Sequence, residues 1–188
     1  MAEHRVCPWW LGYLLASPIR RLWQDPGKIL RPHVREGMTV LEPGPGMGFF
    51  TLELARLVGG SGRVIAVDIQ SRMLEGIRRR AAKAGVLDRV ETRLAKPESM
   101  GVSDLAGRVD FTLAFAMVHE LPDAAAFFRE VAQASKPGAR LLFVEPQGHV
   151  APSAFEAELH LAQAAGFAPV DGSPMRRSNT ALLEKMKS

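Results

Sequence analysis

Short apolar runs alternate with helix-like segments along most of this chain, and that order limits the possible folds more than any other feature. Strands rich in Val, Ile, Leu and Phe are predicted over residues 38–44, 62–69, 89–95, 109–117 and 139–146. Helices are predicted over residues 49–58, 71–84, 103–106 and 123–135, with Ser71 and Asp123 as N-caps. Strands that alternate with helices of about 10–15 residues indicate βαβ units and a mostly parallel sheet.

The pattern continues past the fifth strand with a helix over residues 153–165 and two further strands, residues 167–172 and 179–187. Too few residues separate these two strands for a crossover helix, so they must pair antiparallel. We therefore expect an α/β fold, with a mostly parallel sheet, helices on both faces and an antiparallel hairpin at its C-terminal edge.

The composition is that of one compact, soluble unit. Of 188 residues, 47% are apolar and 23% are charged, which excludes intrinsic disorder and a disulfide scaffold. The one cysteine, Cys7, cannot form an internal bridge and fits a reducing compartment. No apolar run reaches the roughly 20 residues that span a bilayer. We expect a cytoplasmic protein.

A glycine-rich loop follows the first predicted strand. Glu42 lies at the end of that strand, and Gly44, Gly46 and Gly48 follow at alternate positions. Glycine permits a tight turn and close approach of the backbone to a ligand, and ligands of open α/β sheets bind at the carboxyl ends of strands. Asp68 ends the second strand, where a carboxylate can accept hydrogen bonds from both ribose hydroxyls of a nucleoside.

Two common nucleotide-binding patterns do not fit this loop. A dinucleotide fingerprint needs a small residue where Phe49 stands in one register or Thr51 in the other. The phosphate-binding pattern G-x-x-x-x-G-K-[ST] does not occur in the sequence. A carboxylate at Glu42 would also repel a pyrophosphate, so a cationic ligand suits the loop better. A nicotinamide oxidoreductase is therefore a distant alternative.

The segment VLEPGPGMG resembles motif I of the class I S-adenosylmethionine-dependent methyltransferases, an acidic residue followed by alternating glycines. VIAVDIQSRML resembles their second motif, VDFTLAFAMVHELPD their fourth-strand motif, and KPGARLLFVEP the turn and strand that follow. The C-terminal hairpin also matches that fold. The resemblance is closest to the quinone- and small-molecule-modifying group. It implies a Rossmann-like methyltransferase domain over residues 38–188, preceded by a helical segment, residues 1–37, that covers the site.

The resemblance implies S-adenosylmethionine as the cofactor and a set of cofactor-binding residues at the ends of the first four strands. They are Glu42, Gly44, Pro45, Gly46, Gly48, Asp68, Ile69, Ala95, Lys96, Ala114 and Phe115. Glu42 and the glycine loop would hold the methionine portion, Asp68 the ribose and Ile69 the adenine, and the backbone at Ala114 and Phe115 would contact the cofactor's amino group. Many relatives have an aspartate where Lys96 stands. Because lysine only donates, we expect the adenine contact from the backbone or from another side chain, for which Glu98 is a candidate.

His119 and Glu145 are the candidate catalytic residues. A base is needed only if the methyl acceptor must lose a proton, and His119, with an ordinary pKa of about 6.5, suits that task. The alternative is that His119 caps a helix or packs in a polar environment. Glu145 could bind a substrate amine or hydroxyl, or serve as an ion-pair partner. The histidines and Cys7 show no metal-ligand spacing, so we expect no metal site.

The acceptor is expected to be a small or lipophilic molecule, because no nucleic-acid-binding module is appended. Only residues 147–153 stand where many relatives insert a lid. The aromatic strip of residues 9–23 is therefore a candidate cover for the acceptor, and docking of this strip onto the sheet, a homodimer or contact with a membrane surface are the alternatives. The rival function is a catalytically silent module that binds S-adenosylmethionine and has a regulatory or partner role.

Overall fold

The computed structural model describes residues 24–172 and 174–187. The aromatic strip of residues 9–23 lies outside them. The contacts divide the described chain into two units, an N-terminal unit that ends at Ala95 and a C-terminal unit that begins at Lys96. None of the helices in the described ranges has the length and apolar character needed to cross a membrane.

The N-terminal unit alternates helices and strands as the sequence predicts. Its elements are α1 (Pro26–Leu30), β1 (Thr39–Pro43), α2 (Thr51–Leu57), β2 (Arg63–Asp68), α3 (Ser71–Lys83), a 3-10 turn (Leu87–Arg89) and β3 (Val90–Leu94). The strands pair in parallel in the order β3-β2-β1. Leu74 and Ile77 of α3 pack against Ala66 of β2, so α3 covers one face of this part of the sheet.

The C-terminal unit contains the remaining strands. Its elements are a 3-10 turn (Ser103–Leu105), β4 (Val109–Phe115), a second 3-10 turn (Val118–Glu120), α4 (Ala124–Ala134), β5 (Ser135–Pro146), α5 (Pro152–Ala164), β6 (Phe167–Val170) and β7 (Ser178–Lys185). The strand order is β4-β5-β7-β6, with β4 and β5 parallel and β7 antiparallel to both β5 and β6. The seven-stranded, mostly parallel sheet with antiparallel C-terminal strands is thus confirmed.

Three aromatic rings fix the helices of the C-terminal unit to its central strand. Phe128 of α4 meets Phe143 of β5 edge-on, with ring centroids 5.5 Å apart. Phe155 of α5 stacks on Phe143 at 4.7 Å. All three side chains are buried, so the start of α5 is held beside the carboxyl-terminal half of β5.

The predicted helix starts are confirmed at one position and wrong at the other. Asp123 caps α4, and its Oδ1 accepts a hydrogen bond from Ala126 N at 2.8 Å. Ser71 is the first residue of α3, whose N-cap is Gln70 and has no side-chain capping bond. The carboxylate of Asp68 instead accepts from Gln70 N at 2.8 Å, so the chain is turned into the helix from the end of β2.

Replacing Asp123 should therefore lower stability. We expect Asp123→Ala to reduce the free energy of unfolding by about 1 kcal/mol, because an N-terminal N–H of α4 loses its partner. Asp123→Asn, which keeps a capping oxygen, should restore most of this. Ser71→Ala, at the position that does not cap, should change it by less than about 0.5 kcal/mol. Urea unfolding measures all three, and equal losses at residues 71 and 123 would contradict the assignment.

Candidate functional site

The glycine loop after β1 adopts a backbone that only glycine accepts readily. Gly44, Gly46 and Gly48 have φ angles of +61°, +55° and +80°, all in the left-handed region, where a Cβ is strained. Gly44 N donates to Val67 O of β2 at 2.9 Å, and Gly48 N donates to Pro45 O at 3.0 Å. The loop is therefore a compact turn fixed to the end of β2.

One side of this loop is tightly packed and the other is open. A Cβ at Gly48 would lie 3.2 Å from Ile77 of α3, and a Cβ at Gly76 would clash with the sulfur of Met47. The guanidinium of Arg80 donates to Met47 O. A Cβ at Gly46, in contrast, would meet no atom of the described chain within 4 Å. The loop thus leaves room for a ligand at Gly46.

Glu42 is a buried carboxyl beside this loop. It is 2% exposed, and its Oε2 has no hydrogen-bond partner in the described part of the chain. Burial raises the pKa of Glu42 to about 8, while the nearby Thr51 hydroxyl opposes the shift; its Oγ1 is too poorly placed to count as a hydrogen-bond partner. A buried carboxyl with an oxygen that lacks a partner among the described residues is suited to a positively charged ligand.

Asp68 lies beside exposed apolar side chains at the ends of β2 and β3. The Asp68 side chain is largely buried and accepts from Gln70 N, while Ala95 N donates to the Asp68 carbonyl at 2.9 Å. Ile69 and Leu94 follow at the two strand ends, and their side chains are 45% and 62% exposed. A carboxylate can accept hydrogen bonds from the ribose hydroxyls of a nucleoside, and exposed apolar side chains can pack against its base.

In the C-terminal unit, a strained residue follows β4. Ala114 is buried and Phe115 is partly exposed. Ala116 has a φ of +55°, and its N–H donates to Val144 O of β5 at 2.8 Å. Non-glycine residues in the left-handed region concentrate at functional sites, and this one turns the chain toward the 3-10 turn that carries His119.

His119 and Glu145 form a tight pair. Glu145 is fully buried; its Oε1 accepts from Val118 N at 2.8 Å and from His119 N at 3.3 Å. Its Oε2 lies 2.7 Å from His119 Nδ1. With Glu145 as a carboxylate, Nδ1 carries the hydrogen and Nε2 is the ring nitrogen that can take a proton. The hydrogen bond to Glu145 raises the pKa of His119, while burial opposes the shift.

Two residues that the sequence did not single out for function interact with this pair. The ring of His149 meets that of His119 edge-on at 5.9 Å. Glu158 of α5 interacts electrostatically with both His119 and Glu145, and burial together with Glu145 raises its pKa to about 7. The sequence contains one indication that Glu158 faces the sheet: it lies three residues after the buried Phe155, on the same helix face.

The predicted site residues fall into two groups. The N-terminal unit contains Glu42, the glycine loop, Asp68, Ile69 and Ala95. The C-terminal unit contains Lys96, Ala114, Phe115, His119 and Glu145. No group of three or more His, Cys, Asp or Glu side chains within the described ranges is arranged to hold a metal ion.

Glu42 should make protein stability depend on pH. A carboxyl with a pKa of 4.5 when unfolded and about 8 when folded stabilises the fold below 4.5, and this contribution is lost as pH rises to about 8. Between about pH 5 and about pH 8.5, we expect wild type to lose a few kcal/mol more than Glu42→Gln, which cannot ionise. Urea unfolding at both pH values measures this. Glu75→Gln, on the exposed face of α3, should behave as wild type, and equal losses in Glu42→Gln and wild type would contradict the prediction.

Comparisons with known proteins identify the family to which the chain belongs. A family model described as a methyltransferase domain matches residues 34–173. Curated relatives include the ubiquinone/menaquinone biosynthesis C-methyltransferase UbiE of Enterobacter sp. (strain 638) and of Klebsiella pneumoniae (strain 342). Each is 33% identical over 132 residues, which is 70% of this chain and 51% of the relative. The chain thus spans about half the length of the curated relatives it matches.

Solved structures match over more of the chain. A SAM-dependent methyltransferase from Aquifex aeolicus superposes with a TM-score of 0.83 and 25% identity, covering 95% of this chain and 98% of that one. A protein from Methanococcus maripaludis described as a putative S-adenosyl-L-methionine-dependent methyltransferase gives 0.77 at 14% identity, covering 100% and 98%, a likeness of fold alone. Because the family model covers most of the chain and the Rossmann-like fold agrees, the chain belongs to the class I S-adenosylmethionine-dependent methyltransferase family.

Proposed function

We propose that this protein transfers a methyl group from S-adenosylmethionine to a small, lipophilic acceptor. The observation that carries the proposal is the buried Glu42 carboxyl, whose Oε2 has no hydrogen-bond partner in the described chain, beside a glycine loop with open space at Gly46. Family membership supports the reaction. The names of the UbiE relatives support an acceptor that resembles a quinone.

Residues at the ends of β1 and β2 would hold much of the cofactor. Glu42 would neutralise the cationic methionine portion, and Gly46 would leave room for it. Asp68 would accept hydrogen bonds from the ribose hydroxyls, with Ile69 against the adenine. When bound, S-adenosylmethionine supplies a methyl group already activated on a sulfonium, so the protein has mainly to position the acceptor and exclude water.

His119 and Glu145 would act on the acceptor. His119 Nε2 would take the proton that the acceptor loses, and Glu145 would hold the ring in the tautomer that this requires. Glu145 is fully buried and accepts three hydrogen bonds from Val118 and His119. This favours its role as partner of His119 over direct substrate binding.

Several earlier expectations stay predictions. A cytoplasmic location, a homodimer, contact with a membrane surface and the absence of a nucleic-acid partner are among them. So are the division into residues 1–37 and 38–188, and the covering role of residues 9–23.

Cofactor binding should depend on the space at Gly46. We expect Gly46→Ala to weaken the binding of S-adenosylmethionine and S-adenosylhomocysteine strongly, because the added Cβ would occupy the open space. Gly85→Ala is the matched control, since Gly85 also has a positive φ, +68°, and open space around its Cβ position. Both variants should lose similar stability, about 1 kcal/mol, but only Gly46→Ala should lose affinity in calorimetry. Equal affinities would rule out a cofactor site at Gly46.

Turnover tests the proposed reaction against the silent binding module. Purified protein, S-adenosylmethionine and an alkylated hydroquinone with an unsubstituted ring carbon should yield S-adenosylhomocysteine together with methylated product. His119→Asn should reduce the rate by about 10²–10⁴-fold, whereas His160→Asn, on the exposed side of α5, should not. Tight cofactor binding without product from hydroquinones, phenols or amines would favour the silent module.

A further inference from the structure

We propose that Asn179 and His149 are positioning residues for His119: Asn179 fixes the turn that follows β5, and His149, carried on this turn, restrains the His119 ring. This role rests on the proposed function in one respect only, that His119 is the base. β7, which contains none of the site residues predicted from the sequence, then takes part in the site.

The bond to Glu145 fixes one edge of the His119 ring. Nδ1 of His119 lies 2.7 Å from Glu145 Oε2, and Glu145 is fully buried, so the position of this nitrogen is defined. A single hydrogen bond leaves the ring free to tilt about that contact, and the His119 side chain is 22% exposed. The direction of Nε2, the nitrogen proposed to take the proton, is therefore set by what contacts the rest of the ring.

The ring of His149 is placed to supply this second restraint. Its centroid is 5.9 Å from that of His119, and the two ring planes are nearly perpendicular, at 89°. Aromatic pairs favour this edge-to-face arrangement, and it limits the tilt of the His119 ring toward His149. Because His149 is exposed, the position of its ring depends on the backbone that carries it.

The turn that carries His149 is closed by its own backbone and by β7. His149 N and Val150 N both donate to Pro146 O, at 2.9 and 3.0 Å. Asn179 Nδ2 donates to Val150 O at 3.0 Å, and Val150 is 3% exposed. The Asn179 side chain therefore holds the residue next to His149, and with it the direction in which the His149 ring leaves the turn.

The register of β5 and β7 places Asn179 directly opposite Glu145. Paired residues of neighbouring strands have their side chains on the same face of a sheet, so these two side chains start from one place and reach different partners. Glu145 contacts His119 directly, whereas Asn179 acts through the turn. One strand pair thus restrains the His119 ring at two points.

The start of β7 is itself held against this turn. Arg177, the residue before β7, has a φ of +58°, and its carbonyl accepts from Gln147 N at 3.2 Å. A non-glycine residue persists in this region of φ only when its surroundings determine it. Gln147 and Val150 tie both ends of the turn to the start of β7, so a change at Asn179 should loosen the turn without separating the strands.

NMR of the cofactor-free protein tests the restraint independently of activity. In wild type we expect a nuclear Overhauser effect between the ring protons of His119 and those of His149. Asn179→Ala should weaken this effect and speed amide exchange at Val150 by about 2–10-fold, as expected for the loss of one hydrogen bond. Asn179→Asp, an isosteric change that replaces the donor by an acceptor, should do the same.

Thr180→Val is the matched control, because Thr180 is the next residue of β7 and its hydroxyl has no hydrogen-bond partner in the described chain. It should leave the Overhauser effect and the exchange rate as in wild type. His149→Ala removes an exposed side chain and should shift the His119 ring signals while Val150 exchanges as in wild type. An unchanged effect and exchange rate in Asn179→Ala would overturn the role of Asn179, and unshifted His119 signals in His149→Ala would overturn that of His149.

Methyl transfer to the hydroquinone then tests whether the restraint serves the reaction. Asn179→Ala and His149→Ala should each lower kcat by about 10–10²-fold with KM little changed, because a displaced base loses rate rather than binding. A higher KM at constant kcat would contradict positioning and indicate that His149 contacts the acceptor instead. Unchanged kinetics despite the NMR changes would rule out a role in the reaction. If wild type transfers no methyl group, the proposed function fails, while the NMR result still decides whether Asn179 and His149 restrain the ring.

Discussion

Three acids are buried at or next to the ends of strands in this protein, and each must have its charge or its hydrogen-bonding atoms compensated. β1, β2 and the carboxyl-terminal half of β5 are largely buried, yet each has an acid at or next to its carboxyl end: Glu42, Asp68 and Glu145, which are 2%, 9% and 0% exposed. Burying a carboxylate is costly unless hydrogen bonds or a counter-charge offset the loss of water. The cost of burial is offset differently at the three acids. An acid whose hydrogen bonds are made within the protein has a structural role, whereas an acid with an oxygen that lacks a partner is available to a ligand.

Glu145 is satisfied within the protein, because it accepts from two backbone N–H groups and from the His119 ring. Asp68 accepts from Gln70 N and so directs the chain into α3. One oxygen of Glu42 has no such partner in the described chain. Burial without compensation disfavours the ionised form and so raises the pKa of Glu42. A cationic ligand would supply the missing charge. Ligand binding at Glu42 should therefore be accompanied by proton release, because binding favours the ionised form.

Local sequence patterns predicted the elements well and long-range contacts poorly. Strand and helix positions follow from apolar periodicity, and the glycine loop from its spacing, so both could be read before the structure. The 3-10 turn of Val118–Glu120 could not, since its geometry depends on Glu145, which is 26 residues away from His119 in the chain. Glu158 was missed for the same reason: its electrostatic partners lie on β5 and in the 3-10 turn. Ser71 failed as a cap because Asp68 already turns the chain there.

The turn after β3 differs from the family pattern at Lys96. Its backbone hydrogen bonds show which groups of the turn remain available to a ligand. Ala95 N donates to the Asp68 carbonyl, Lys96 N donates to Ser99 O at 2.9 Å, and Ser99 N donates back to Lys96 O at 3.1 Å. Pro97 has no N–H to donate. The residues of this turn therefore have few backbone donors for a ligand, while the exposed Glu98 adds an acceptor. Adenine presents its amino group as a donor, and the Glu98 carboxylate would be able to accept from it even though Lys96 stands where many relatives have an aspartate. Since the Lys96 side chain is exposed, its charge can remain in water and need not oppose the contact.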